Sequence, residues 1–322
     1  MADRTRDQKV IHALALVTAI VSLAPIGLGS LVTTLGAGMA FIDWPTSDGD
    51  NMLLYNFLVD LRQGRTDRFV EHSHRLAGVL IGLCSIALCV AAWKLNGSKS
   101  VRIACSLVLA GVIVQGMIGG LRVLLDRQAV AFGHSVFGCC VFVGLWMVAS
   151  MTSRGWKLST ESGSGSGGLA AGLAVVYPAV CLVQYVLGGF IRHLGGMLHA
   201  HVAGAGLVLF GAVVVVLASL KIKSKAVRSR SWLVGAAVAI QIGIGLFTWV
   251  TKYGFPPVGW VAVQHSLSQV ISRTTHTVAG MVVVATACSW AVTVIRINRL
   301  QVDELAGGES ASLVHAGNYE VG

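Results

Sequence analysis

Glu71-His72-Ser73-His74-Arg75-Leu76-Ala77-Gly78 sets an acid, two histidines and an arginine at the entrance of a long apolar run. On a helix of 3.6 residues per turn, Glu71, His74, Arg75 and Gly78 share one face, while His72 and His74 point in roughly opposite directions. Only one of the two histidines can therefore face a bundle interior. Ionisable groups set against a membrane-length segment are costly, and they mark a functional site by default. Three later apolar stretches repeat the theme. His134 with Gly138, and His276 with Gly280, keep a His-x-x-x-Gly spacing, and His199-Ala200-His201 followed by Gly204 keeps it loosely. Four histidines at corresponding places in four hydrophobic helices point to two paired sites.

A chain of 322 residues that is 55% hydrophobic and only 12% charged is a polytopic membrane protein rather than a soluble domain. Runs of about 20 apolar residues predict eight spans, near 10–30, 70–93, 100–121, 129–151, 169–191, 197–220, 231–251 and 272–295. The first lacks a small-residue cleavage site and is followed by further spans, so it reads as an anchor. Lys and Arg set the orientation, because short cytoplasmic loops hold an excess of both. The N-terminus, the segments near 94–102, 153–168 and 221–230, and the C-terminal residues after 295 hold 15 of the 24. Both termini are expected on the cytoplasmic side of the inner membrane of a cell, or of an equivalent organelle membrane. The net charge of +10 then reflects topology and asks for no nucleic acid. All seven cysteines lie inside predicted spans without Cys-x-x-Cys spacing, which leaves covalent haem attachment, a zinc site and a thiol redox motif unsupported.

The longest polar segment, about 31–69, contains Asp43-Trp44-Pro45-Thr46-Ser47-Asp48-Gly49, which is turn chemistry in a capping loop. Residues 161–168 are a Gly/Ser linker. It divides the chain into an N-terminal four-helix half, 1–160, and a C-terminal four-helix half, 169–300, followed by a polar tail, 301–322. The odd-numbered helices share a Gln-x-x-x-Gly pattern at Gln115/Gly119, Gln184/Gly188 and Gln241/Gly245, and Pro25 through Ser30 reads as its relic. The glycines serve either close helix packing or a ligand. The fold class is therefore all-α and integral to the membrane, with eight transmembrane helices in two pseudo-symmetric four-helix bundles from an internal duplication.

His74, His134, His201 and His276 precede the cytoplasmic ends of their helices by about 16 to 20 residues, or ~24 to 30 Å. All four then lie near the outer face of the hydrocarbon. Neutral imidazole is an axial ligand for haem iron, and bundle sites are built from side chains on facing helices. His74 with His134 makes one such pair, and His201 with His276 the other. A satisfied structural role is the alternative for any one of them alone. Zinc or copper is disfavoured because no three or four ligands cluster on adjacent turns. Arg75, Arg122, Arg192 and Arg273 lie at the outer rim, where a guanidinium suits a haem propionate. For Arg122 and Arg192 interfacial snorkelling is an equal alternative. Arg273, one turn before His276, is the best candidate. Glu71 has no counterpart in the second half, so the two sites are expected to do different jobs. His72, His193 and His265 receive no role, and His265 falls in the outer loop or a helical extension.

The chain resembles the heme A synthase family. The resemblance rests on Gly29 through Thr33, Gly36-Ala-Gly-Met39, Asp43-Trp-Pro-Thr46, Glu71-His-Ser-His-Arg75, Gln115 through Gly120, Gln184 through Gly189 with Arg192-His193, Gln241 through Thr248, and His276. It implies an eight-helix enzyme of two homologous halves that oxidises the C8 methyl of haem O to the formyl group of haem A for terminal oxidases. It further implies haem b in the C-terminal half, where the pairing above sets His201 and His276 as its ligands and Arg273 as a cofactor-binding residue. Substrate haem O would sit between His74 and His134, with Glu71 as a catalytic residue. His199 is the alternative to His201; the two point about 200° apart, and depth and nearby glycines favour His201. The paired outer-loop cysteines of some members are absent here. Expected partners are haem O, a haem O synthase, an electron donor, membrane lipid and a possible second copy of the chain. Two other readings are a di-haem b electron carrier linked to quinol, and a repeat-built transporter that binds no haem.

Overall fold

The computed structural model describes residues 5–154, 156 and 168–317, with side chains as far as 301. The expected linker lies outside the described residues except for Gly168, and so do residues 318–322 of the tail. Among the described residues, eight helices are long and apolar enough to cross a membrane. The first is α1 (Arg6–Val21) continued by α2 (Leu23–Leu35), broken at Ser22. Pro25 stands in the first turn of α2, where a missing N–H leaves no helix bond unmade. A short helix α3 (Phe57–Arg62) precedes α4 (Thr66–Lys94), α5 (Lys99–Leu125) and α6 (Gln128–Met151). Then follow α7 (Gly168–Leu194), α8 (Leu198–Leu220), α9 (Lys225–Tyr253) and α10 (Leu267–Gly317). All eight expected spans are present. Helix α4 begins a turn earlier than hydropathy suggests, and α10 runs on as helix into the tail.

Helices α1, α2, α4, α5 and α6 pack on one another, as do α7 through α10. The two groups meet where α2 and α6 lie against α10 and where α6 lies against α7. Helix α10 is the pillar of the assembly. It is enclosed on nearly every side along its middle, where Met281, Val284, Ala285, Ala287, Trp290, Ala291 and Val294 are all buried together with the hydroxyls of Thr286, Ser289 and Thr293, as expected for a helix with no lipid-facing stripe. Trp290 is fully enclosed, and its indole N–H donates to Ser219 Oγ at 3.0 Å, so its one polar atom is satisfied inside the membrane-spanning core.

The loop after α2 folds into a cap. Thr46–Ser47 pairs antiparallel with Asp50–Asn51 around Asp48 and Gly49, whose φ values of 56° and 82° are those of a two-residue hairpin turn. Asp43 accepts from the amides of Asp48 and Gly49 at 3.0 and 2.8 Å. Burial pushes the Asp43 carboxyl up, but those amides and Thr46 outweigh it and hold the group below its ordinary value. Behind the hairpin, Asp60 is fully buried and takes Arg65 at 2.6 Å, Arg68 at 3.3 Å and the Tyr55 hydroxyl at 2.9 Å. Arg68 also pairs with Asp48 and lies 4.4 Å from the Phe41 ring centre. His72 is completely enclosed by the Phe41, Tyr55 and Phe57 rings, with its Nδ1 3.2 Å from Ser47 Oγ. It belongs to this cap, on the opposite face of α4 from His74.

Removing one partner of a buried ion pair leaves the others uncompensated, at a cost of about 3 to 5 kcal/mol. Asp60→Ala is therefore expected to lower the melting temperature of the detergent-solubilised protein by several degrees. Exposed Asp67→Ala should leave it within about 0.5 kcal/mol of the parent. Equal melting temperatures for the two variants would contradict the role given to Asp60.

Candidate functional site

Each of the four histidines occupies a seat of the same construction. A Cβ added at Gly29 would lie 2.7 Å from His74 Cε1, at Gly119 3.0 Å from His134 Cε1, at Gly188 3.1 Å from His201 Cε1, and at Gly245 3.0 Å from His276 Cε1. Each imidazole thus rests on the bare backbone of the preceding span. Four residues earlier on that span stands the second element of the seat. Gln115, Gln184 and Gln241 donate from Nε2 to the carbonyls of His134, His201 and His276 at 3.0, 2.8 and 3.0 Å. In the first span Pro25 takes this place, and its carbonyl accepts from His74 Nδ1 at 3.0 Å. Because a carbonyl only accepts, His74 carries its proton on Nδ1 and leaves the Nε2 lone pair free.

Of the glycines that follow the histidines, Gly78 and Gly138 line the first cavity and Gly280 the second. Gly138 and Gly280 leave room for the amides of Gln115 and Gln241, and Gly204 for that of Gln184. Among the described residues no side chain lies over Gly78. Second glycines on the odd-numbered spans admit aromatic rings. Trp44 of the cap packs onto Gly120, and Phe132 packs onto Gly189.

These seats bring the histidines together in two pairs. The His74 and His134 ring centres are 6.3 Å apart with planes at 89°, and those of His201 and His276 are 6.2 Å apart at 82°. Each pair lines its own cavity, of about 380 Å³ for the first and about 510 Å³ for the second. His199 is exposed and lines neither. His265 sits in the loop before α10 at φ 59°. Its amide donates to Gln269 Oε1 at 2.9 Å.

The first cavity is lined by Glu71, Arg75 and Arg122 at the end nearest the cap, and Trp44 and Met52 of the cap reach it too. Glu71 is buried. Its Oε2 accepts from the amides of Ala40 and Phe41 at 2.7 and 3.4 Å, and its Oε1 pairs with Arg75 at 2.8 Å. Arg75 in turn donates to the carbonyls of Asp43 and Thr46 at 2.9 and 2.8 Å. The Glu71–Arg75 pair therefore ties the loop down over the cavity. Arg122 lies against Gly38 and 3.7 Å from Met39 Sδ, which explains the small residue in Gly36-Ala-Gly-Met39. The second cavity carries Arg273, Lys252 and Arg192, and no acidic residue lines it among the described residues.

Two members of the site lay beyond the reading of spacing alone. His193 comes from α7 yet lines the first cavity, with Nε2 buried and without a partner among the described residues. Tyr185 lines the second, and its hydroxyl is 3.2 Å from Ser135 Oγ, beside His134. The Arg192-His193 pair at the end of α7 was the available signal for the first. Nothing in the sequence marked the second.

The chain is 29% identical over 164 residues to a protoheme IX farnesyltransferase of Halobacterium salinarum, which is 51% of this chain and 32% of that protein. A protein of the same name from a second strain of that organism is 29% identical over 137 residues, 42% of this chain and 28% of the other. The chain thus spans about a third of the length of the curated relatives it matches. The family described as cytochrome oxidase assembly protein matches residues 12–205, which runs through the first cavity and into the second. The chain belongs to this cytochrome oxidase assembly protein family, the family of the heme A synthases.

Proposed function

We propose that this chain is a heme A synthase that oxidises the C8 methyl of haem O to a formyl group. The observation that carries the reading is an asymmetry. Two imidazole pairs of equal spacing occupy separate cavities, and among the described residues only the first cavity contains a carboxylate, Glu71.

The pairs fit haem iron. His74 with His134, and His201 with His276, would hold the iron between them, and ring centres 6.3 and 6.2 Å apart leave room for one metal in each pair. Neutral imidazoles in a dry, apolar bundle are the donor set that haem takes. Gln115 Nε2 lies 3.3 Å from His134 Nε2, a long contact that gives way easily because its shorter bond goes to the His134 carbonyl. His201 and His276 would hold haem b, with Arg273 placed for a propionate, and when bound that haem supplies one-electron exchange. The residues of the first cavity then act on substrate haem O. His74 and His134 fix its position, with Gly29 and Gly119 fixing theirs. Trp44 and Met52 keep water from the end beneath the cap. Turning a methyl into a formyl group replaces two C–H bonds by a C=O bond, with the oxygen atom drawn from dioxygen or water and the electrons passing to an oxidant of the dioxygen class. The hydroxylated carbon sheds a proton as it becomes the aldehyde, and Glu71 is the proton acceptor at that wall, held in place by Arg75 and the Ala40 amide. A positioned base of this kind contributes about 10² to 10⁴ in rate.

A relative named for farnesyl transfer to protohaem supports a farnesylated haem as substrate, delivered by a haem O synthase. The basic loops support an inner-membrane location with both termini cytoplasmic. The near-equality of the two pairs also suits a di-haem carrier, and Glu71 is what weighs against it.

His201→Ala or His276→Ala is expected to abolish the haem b absorption bands of the purified protein, whereas exposed His199→Ala keeps them. Loss with His199→Ala and retention with His201→Ala would reverse the assignment. Glu71→Gln should retain haem b but cut haem A formation at least about 100-fold, with haem O or a hydroxylated product accumulating. Because the same side chain ties down the cap, proteolysis of the loop near Leu53 is compared in parallel. Normal haem A yield from Glu71→Gln would leave Glu71 only as a fastening for the cap.

A further inference from the structure

The two cavities share a wall. Ser135, Arg192 and Thr277 line both, and Arg192 is the one charged residue of the three. Its guanidinium donates to the Ser30 carbonyl, to Ser30 Oγ at 3.1 Å and to Thr34 Oγ1 at 2.9 Å, all neutral acceptors on α2. Thr34 and Ser30 are joined in turn to Thr274 on α10 at 3.4 Å each. Among the described residues no carboxylate forms an ion pair with Arg192, although the guanidinium sits inside a membrane-spanning bundle. A cation desolvated without a counter-ion is expensive, and in a membrane it marks a functional position. Hydrogen bonds to hydroxyls fix its place without neutralising it. Its compensating anion has to come from what the cavities hold.

Resting on the reading above, we propose that Arg192 couples the two sites electrostatically, its charge being offset by the carboxylates of the haem in the first cavity and felt by the haem in the second. In low dielectric a unit charge acts over many ångströms with little screening. When the first cavity is filled, substrate propionates compensate Arg192 and less positive field reaches the iron between His201 and His276. Less positive field stabilises the ferric state, so filling the first cavity lowers the potential of the second site. The resident haem thus gives up its electron more readily when the first cavity is filled. Arg192 is on this account a positioning residue for redox balance, and it touches no reacting atom.

A double-mutant cycle on midpoint potential tests this, because it isolates a pairwise term. Redox titration of the second-site haem is carried out on full-length protein made with a supply of haem O, with pigment analysis to record what each variant holds. His74→Ala, which empties the first cavity, is expected to raise the second-site potential. Arg192→Gln should lower it, and in the Arg192→Gln background the effect of His74→Ala should shrink by at least half. Arg192→Lys, which keeps the charge, should retain most of the effect. Additive shifts would overturn the coupling through Arg192. Equal second-site potentials in the parent and His74→Ala proteins would overturn it whatever the Arg192 variants do. Parent protein that holds pigment at the second pair alone would remove the reading on which the inference stands.

Discussion

A buried imidazole inside a membrane-spanning bundle needs a fixed orientation and an internal partner, because lipid supplies neither. This chain meets the requirement four times by one device. A glycine removes the Cβ that would strike the ring, and a residue one turn earlier on the same span fastens the histidine to it. Close backbone approach and side-chain fastening are thus properties of one helix pair, and each pair delivers one ring to a cavity. Ring spacings of 6.3 and 6.2 Å in separate cavities follow from repeating that unit rather than from two independent solutions.

What differs between the cavities is what closes them. Over the first, the loop after α2 is pulled down by Glu71 and Arg75, while Trp44 settles on Gly120 and Arg122 on Gly38. The cap is itself organised by Asp60 and the ring cluster around His72. Glu71 therefore has two tasks that reinforce one another. The bonds that hold the loop also hold the carboxylate at the wall of the first cavity. The second cavity has cationic residues at its rim and, among the described residues, nothing acidic, which suits a bound group that exchanges electrons and undergoes no bond-making of its own.

Much of this was legible in the chain. Hydropathy alone places all eight spans, since a run of apolar residues long enough to cross a membrane has few other uses. The helical face shared by Glu71, His74 and Arg75 follows from 3.6-residue periodicity, and so does the separation of His72 from His74. Depth along the helices favours His201 over His199, and the structure puts His201 beside His276. Spacing could not tell which glycine serves which neighbour. Gly138 lines the first cavity and also receives the Gln115 amide, whereas the His134 ring rests on Gly119 of another helix. The same limit hid His193 and Tyr185. Contacts between helices far apart in sequence depend on how the groups pack around α10, and no local pattern records that.

The central claim is that two haem-type sites of like construction hold different occupants, one resident and one transformed. Extraction and mass analysis of the haems from protein purified out of cells that also make haem O tests it most directly. The account predicts haem b together with haem O, a hydroxylated intermediate or haem A. Haem b as the sole pigment at two sites, with no modified haem in the membranes, would contradict it and leave an electron carrier.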